Sequence, residues 1–459
     1  MKWSNIKDME KLIFYISKKD NMSKLNNVKC KELSYEGLGV ANLDDKKLFV
    51  YNFLPNEVAN INIIKQTKHI SFGIAKEILT ASTDRINNDF SYSFPLEILD
   101  YQKQLEAKNN YLNSLFSRNL NLKNKILKPI IACDNKNNYR NKVRIAFDTK
   151  IVDNNPRLIL VEHQGKSEKL VELNSINQTN FIKPQVLETI FNLLQTYVKP
   201  SSYKMLKGLT IRINQLNQID LLILVNNDFD LPKQLVSNII NTFGSNKIKL
   251  QEAKLNHKTN TQKIKIINNI DFKMQLCNQN FAIDINSFFQ VNNFIANKMF
   301  EYIQNLTKDQ NSNTILDLYC GSGIIGQLIG SNNKIIGIDI DKDSIIQAKN
   351  NALINNKINS KYYAGDVYKV ISKLNLDLTN ALVIVDPPRK GLSKEFIEWF
   401  NSNKFTQLIY ISCDPRTLTR DLIELQKLNY QIDSIQPFDM FPNTFHLENV
   451  VLISKNKII

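Results

Sequence analysis

From Val28 to Arg85 the chain runs in short stretches of alternating apolar and polar residues broken by turns. They read KELSYEGLGV, a turn at Asp44-Asp45, then KLFVYNFLP, NEVANINIIKQ and FGIAKEILTASTDR. Strands of this length and spacing predict a small β-barrel. The next segment is less regular. Tyr101–Asn119 has helical apolar spacing and ends in basic residues, as a helix dipole favours. Asn138–Lys150 alternates basic and apolar residues, which predicts a strand with Arg140, Lys142 and Arg144 on one face. Further strand patterns at Leu206–Ile213 and Gln218–Val225 make residues 87–285 an α+β region. After Ser287–Val291 (SFFQV) and an amphipathic helix at Asn293–Asn305, the order becomes strand, glycine turn, helix, strand, acid, helix. That order predicts a mostly parallel sheet with helices on both faces, a Rossmann-like α/β domain over 286–459. The expected organisation is therefore an N-terminal extension (1–27), a barrel (28–86), a central α+β domain (87–285) and a Rossmann-like domain (286–459). Met22 is an alternative start, which would make Met1–Asn21 dispensable.

Composition narrows the class. At 459 residues and 43% hydrophobic, the chain has material for two or three cores. A formal charge of +15 suggests a polyanionic partner, because basic surface gains affinity by releasing counterions from phosphates. An AT-rich coding sequence, enriching Lys, Asn and Ile throughout, would account for part of that charge. The five cysteines, Cys30, Cys133, Cys277, Cys320 and Cys413, form no C-x-x-C pair, which argues against a disulfide framework or a zinc site. No apolar run approaches the length of a membrane span, and the start carries acids without a small-residue cleavage site. A soluble cytoplasmic monomer without membrane contact is expected.

The candidate chemistry gathers where strands end. In an open α/β sheet, ligands bind outside the carboxyl ends of the strands. Thr314–Leu318 contains Asp317 and leads into Tyr319-Cys320-Gly321-Ser322-Gly323, a turn that lets a ligand approach the backbone. Lys334–Ile340 carries Asp339, placed for a ribose hydroxyl, and KYYAGD ends in Asp366, placed beside an adenine. Ala381–Val385 ends in Asp386-Pro387-Pro388-Arg389, and the apolar strand LIYIS ends in Cys413-Asp414-Pro415. Five successive strands thus deliver Asp317, Asp339, Asp366, Asp386 and Cys413 to one sheet edge.

The set DLYCGSG, GIDID, VDPPRKGL, YISCDP and FHLENVVLI resembles the S-adenosylmethionine-dependent RNA 5-methyluridine methyltransferase family over residues 286–459. The turns Glu36-Gly37-Leu38-Gly39 and Leu54-Pro55-Asn56-Glu57, with Ser82-x-x-Arg85, resemble a TRAM domain, an OB-like RNA-binding module, with Lys65, Lys68 and Lys76 facing RNA. The resemblance implies a reaction that explains the residue types. Uracil C5 is a poor nucleophile until a thiolate adds at C6, and a base must afterwards remove the C5 proton. By residue-by-residue match, Cys413 is the nucleophile and Glu448 the proton-abstracting base. Gln290, Tyr319, Gly321, Gly323, Asp339, Asp366 and Asp386 are the implied S-adenosylmethionine contacts, Arg389 holds a phosphate or Asp386, and Cys320 is structural.

The chain departs from many family members in one respect. The stretch after the barrel, NNDFSYSFPLEILDYQKQ, has none of the cysteines that hold an iron–sulfur cluster there, so no cluster is expected. Among other readings, RNA 5-methylcytidine enzymes place a second cysteine in the Asp-Pro-Pro region, absent from DPPRKG, and adenine-N6 enzymes place an aromatic where Arg389 stands. A nicotinamide dehydrogenase has no use for DPP and SCDP, and intact Cys413 and Glu448 oppose an inactive RNA-binding or assembly factor. The TRAM-like segment favours 23S rRNA as the substrate, with a tRNA T-loop uridine as the alternative, and the target base must be extruded to reach Cys413.

Overall fold

The computed structural model describes residues 24–455, apart from 44–45, 88, 123–125, 166–168, 174, 257–260, 309–311, 331–332, 375–377, 379 and 404. The turn at Asp44-Asp45 and most of the N-terminal extension therefore lie outside the described residues. The chain divides into two compact units, one of residues 1–104, 136–272 and 443–445, the other of 105–135, 273–442 and 446–459. Among the described residues no helix is long and apolar enough to cross a membrane.

The first unit holds two sheets. The N-terminal sheet runs Lys24–Lys29, Val58–Gln66, Ile70–Thr80, Lys46–Tyr51, Gly39–Leu43 and Glu32–Leu33 from edge to edge. Its two edge strands follow one another in the chain, and they are stitched at the junction. Cys30 N–H donates to Glu57 O at 2.9 Å, and Lys31 N–H donates to Val40 O at 2.8 Å. The sheet is thereby barrel-like, around a core of Ala41, Leu48, Val50, Phe53, Ala59, Ile61 and Ala75. Lys65, Lys68 and Lys76 are exposed on it. The second sheet has seven strands, from Thr261–Asn268 at one edge to Leu170–Glu172 at the other. The alternation in Lys142–Val152 puts Val143, Ile145 and Phe147 in a core with Leu187, Ile190 and Leu194 of the helix Pro184–Tyr197, while Lys142 and Arg144 stay off that face. Arg140 precedes the strand and bridges to Phe181 instead.

The second unit is a seven-stranded sheet in the order Ser360–Ala364, Lys334–Asp339, Thr314–Leu318, Ala381–Val385, Gln407–Ser412, Glu448–Lys455, Tyr430–Phe438. The first five strands are parallel, and all but the half-exposed edge strand Ser360–Ala364 are buried on both faces, which explains their largely apolar runs. The last two run antiparallel. The edge strand Tyr430–Phe438 is covered by residues 126–131, where Lys128 N–H donates to Ile435 O and Ile131 N–H to Pro437 O, both at 2.9 Å. A covered edge presents no free ladder to other chains. The helix Tyr101–Asn119 supplies Leu112 and Phe116 to the core beside Leu418, Leu422 and Ile435. It also supplies Lys108, whose Nζ meets Asp439 Oδ1 at 2.5 Å with both side chains fully buried. Asp439 N–H in turn donates to Ile131 O at 3.0 Å.

Removing one partner of a buried ion pair leaves the other charge uncompensated and costs about 3–5 kcal/mol. Asp439→Ala is therefore expected to lower stability by about that amount in urea unfolding, whereas Lys108→Met with Asp439→Leu recovers most of it. Equal losses in the single and the double variant would contradict this account.

Candidate active site

The antiparallel entry of the last strand decides what meets at the sheet's carboxyl edge. Ser412 pairs with Asn449, so the next position of that register sets Cys413 opposite Glu448. Asn449, fully buried, donates from Nδ2 to Ser412 O at 3.3 Å and fixes this pairing. On its other side Glu448 pairs with Phe438. Cys413 itself ends the strand Gln407–Ser412, because Asp414 caps the following helix Pro415–Lys427 by accepting from Arg416 N–H at 2.9 Å. The neighbouring parallel strand, Ala381–Val385, ends in Asp386, whose N–H donates to Leu318 O at 3.3 Å. Glu448, Cys413 and Asp386 thus leave three adjacent strands at one edge.

Burial dominates the electrostatics here. It pushes the Cys413 thiol up to about 12, and the nearby carboxylates of Glu448 and Asp386 push the same way, while Arg389 opposes them. Burial likewise raises the Glu448 carboxyl well above the usual carboxylate range, reinforced by Asp386 and again opposed by Arg389. Arg389 is the cation beside both groups. His446, two residues before Glu448, is pushed down to about 3 by burial and then by Arg389, so it stays neutral at physiological pH.

The remaining positions singled out from the sequence line the other strand ends. Asp317 is buried, accepts Gly326 N–H at 2.8 Å through Oδ2, and has no hydrogen-bond partner on Oδ1. Burial first, then Asp386 and Asp339, raise its carboxyl to about 7. Tyr319, Gly321 and Gly323 all have positive φ, at 64°, 53° and 74°. A Cβ built on Gly321 would meet nothing within 4 Å, so the turn faces open space. Asp339 holds this turn by accepting Gly321 N–H at 2.9 Å, and accepts Asp341 N–H at 2.9 Å with its other oxygen. Asp366 caps the short helix Val367–Ile371 through Lys369 N–H at 3.1 Å. Gln290 is buried between two tethers. Gln347 Nε2 donates to Ser287 Oγ at 2.7 Å on one side, and Asn292 Nδ2 donates to Met440 O at 3.1 Å on the other. Cys320 is packed among Ile335, Ile345, Ala348 and Tyr362 with its thiol raised by burial, as a structural residue would be.

Chemically, a thiol and a carboxyl stand at facing positions of two adjacent strands. Next to them lies a glycine turn among carboxylates, of which Asp386 and Asp339 raise the proton affinity of Asp317. Such a cluster is relieved by a cation, and carboxylates at successive strand ends suit the hydroxyls and amines of a nucleoside. Three residues to which the sequence assigns no role, Tyr410, Arg420 and Asp421, stand behind the loop that carries Arg389, and their spacing reads as ordinary helix and strand positions.

The sequence profile of the tRNA (Uracil-5-)-methyltransferase family matches residues 100–456. An uncharacterized RNA methyltransferase of Oceanobacillus iheyensis is 28% identical over 455 residues, covering 94% of this chain and 96% of its own. One from Enterococcus faecalis is 29% identical over 450 residues, covering 92% and 96%. Among solved structures, the Pyrococcus abyssi tRNA (uracil-54, C5)-methyltransferase in complex with S-adenosyl-L-homocysteine superposes with a TM-score of 0.70 at 21% identity, covering 94% of this chain and 100% of its own.

With its thiol near 12, roughly one Cys413 in 10⁴ is ionised at pH 8. Iodoacetamide labelling of Cys413, followed by peptide mass spectrometry, should therefore be slow and rise about tenfold per pH unit from 7 to 10. Asp386→Asn removes a repelling charge and should speed labelling at fixed pH, roughly tenfold, whereas Arg389→Ala should slow it. Fast labelling that is flat with pH would contradict the raised thiol.

Proposed function

Since this chain belongs to the tRNA (uracil-5-)-methyltransferase family, we propose that it methylates C5 of a uridine in 23S rRNA by way of a covalent adduct between Cys413 and C6 of the base. The observation that carries the reading is the register that sets Cys413 opposite Glu448, with Asp386 at the end of the adjoining strand. The residues fit S-adenosylmethionine. The open space before Gly321, the unpartnered Oδ1 of buried Asp317 and the carboxylates of Asp339, Asp366 and Asp386 suit a cationic nucleoside, with Tyr319, Gly323 and Gln290 beside them. When bound, it supplies an electrophilic methyl group for C5.

The chain's own groups do the rest. Cys413 loses its proton, and its sulfur forms a bond to C6, so that the C5–C6 double-bond electrons pass into an enolate and C5 becomes nucleophilic. Arg389 is the charge that favours the thiolate against Glu448 and Asp386. After methylation C5 carries both the new methyl and a proton. Glu448 removes that proton, the C5–C6 double bond re-forms and the Cys413 sulfur leaves. A carboxyl whose proton affinity is raised by burial is a stronger base once ionised, which suits abstraction from carbon.

The preference for 23S rRNA rests on the barrel-like N-terminal sheet, TRAM-like in its turns, which lies ahead of the region matched by the family profile. A tRNA T-loop uridine is the second reading, favoured by the profile's description and by the superposing Pyrococcus enzyme, which acts on uracil-54 of tRNA.

Labelled S-adenosylmethionine offered with unmodified 23S rRNA fragments and unmodified tRNA side by side, followed by nucleoside analysis, tests both parts. 5-Methyluridine is expected in the rRNA. Its appearance in tRNA alone keeps the chemistry and overturns the substrate, and none in either overturns the reading. Cys413→Ala should lose turnover by on the order of 10⁴-fold or more, and Glu448→Gln should accumulate a protein–RNA adduct that survives denaturing electrophoresis.

A further inference from the structure

The loop after Asp386 is held from behind by the helix that starts beside Cys413. Thr417 Oγ1 donates to Arg389 O at 2.9 Å. Arg420 Nη2 donates to Lys390 O at 2.8 Å and to Leu392 O at 3.2 Å. Asp421 accepts Leu392 N–H at 2.8 Å through Oδ2, and the same oxygen accepts the buried Tyr410 hydroxyl at 2.7 Å. Its other oxygen accepts Arg420 Nε at 2.8 Å and Nη2 at 2.6 Å. Asp421 is 1% exposed, so every lone pair in use is satisfied away from water. The loop can come this close because Gly391, at φ 74°, has no side chain: a Cβ there would lie 2.4 Å from Asp421 Oδ2 and 2.7 Å from Arg420 Nη2.

One helix, Pro415–Lys427, thus grips four backbone groups of the loop, the carbonyls of Arg389, Lys390 and Leu392 and the N–H of Leu392, while only its cap Asp414 separates it from Cys413. Tyr410 ties the same carboxylate to the strand that carries Cys413. The loop's side chain toward the reacting edge is Arg389, and the groups around Cys413 are Glu448, Asp386, Arg389 and Asp414. Arg389 is an exposed residue, so its place at the edge depends on the backbone that carries it, and a turn left free at Lys390-Gly391 would let that backbone move. A carboxylate and a tyrosine buried at this loop, with a half-exposed arginine across them, are more than the packing of an exposed loop requires.

We infer that Asp421, with Arg420 and Tyr410, is a positioning residue that sets Arg389 beside Cys413 and Glu448 by clamping the Asp386–Leu392 loop. The inference rests on the methyl-transfer reading for its effect on turnover, and on the clamp alone for its effect on the thiol. Asn at this position cannot satisfy the same partners, since its amide would point a donor at Leu392 N–H and Tyr410 or at Arg420.

The test is a double-mutant cycle between Asp421→Asn and Arg389→Ala in the full chain, read in two ways. The first is iodoacetamide labelling of Cys413 at pH 9, which needs no RNA. Each single variant should slow labelling by a similar factor, roughly threefold to tenfold, and the double variant should be no slower than Arg389→Ala alone. The second is methyl transfer at saturating cofactor and RNA, where Asp421→Asn should lower kcat roughly ten- to a hundredfold with the KM for S-adenosylmethionine within about twofold, again without further loss in the double variant. Losses that multiply in the labelling cycle would mean that Asp421 acts by general destabilisation, and would overturn the inference. A Tyr410→Phe variant guards against loss of folding, because it removes one hydrogen bond and leaves Asp421 charged; unchanged labelling in a folded Tyr410→Phe and a folded Asp421→Asn would overturn the inference too. A coupled labelling cycle in a wild-type protein that transfers no methyl group would keep the clamp and overturn the reading of the reaction instead.

Discussion

Everything at the reacting edge depends on one strand running against its neighbours. In a parallel sheet only the carboxyl ends of strands reach the ligand crevice, and a residue just before a strand lies at the wrong side of the domain. Glu448 begins its strand, so it reaches the crevice only because Glu448–Lys455 is antiparallel to Gln407–Ser412. Side-chain periodicity in a strand is two, so a slip of one residue would send the carboxylate to the opposite face. The buried Asn449 amide on Ser412 O, the hairpin with Tyr430–Phe438 and the covering residues 126–131 all act to hold that register. Residues far from the site in sequence, from Lys108 to Ile131, are therefore part of what fixes the distance between Cys413 and Glu448.

The same edge gathers negative charge. Asp386 and Asp339 raise Asp317, Asp386 raises Glu448, both Asp386 and Glu448 raise the thiol, and Arg389 opposes them at Cys413 and Glu448 from a loop. Burial and this repulsion disfavour both the thiolate of Cys413 and an ionised Glu448. That is the expected condition of a site whose ligand carries positive charge, because ground-state repulsion among carboxylates is relieved when a cation enters. It also keeps the half-buried Cys413 thiol unreactive before a ligand is in place, since the thiolate is the reactive form.

The first unit obeys a different logic. Its N-terminal sheet has its two edges consecutive in the chain and stitched through Cys30 and Lys31, which leaves few unpaired strand groups to aggregate. Its lysines stand on the outside and its core is small and aliphatic. The family profile begins at residue 100, after this sheet. The family signature thus lies in a part of the chain that follows the barrel-like sheet.

Much of this was legible before any coordinates. The central parallel strands are short, mostly apolar runs, such as ALVIV and LIYIS, closed by turn residues or acids, so their ends fall within a residue or two of where the sequence puts them. The helix Tyr101–Asn119 also has the predicted limits, but its partners were hidden, because which core an amphipathic face joins is set by long-range packing and not by spacing. Residues 105–135 consequently lie with the C-terminal unit although they read as part of the central stretch. Asp421 marks the same limit at the level of one side chain. In TLTRDLIEL it reads as a polar residue on an ordinary helix. Its burial at 1% and its two oxygens filled by a loop amide, a tyrosine and an arginine arise only when three separate segments are brought together. Motifs mark groups that meet a ligand, whereas groups that hold those in place have no fixed spacing from them and become visible only as contacts.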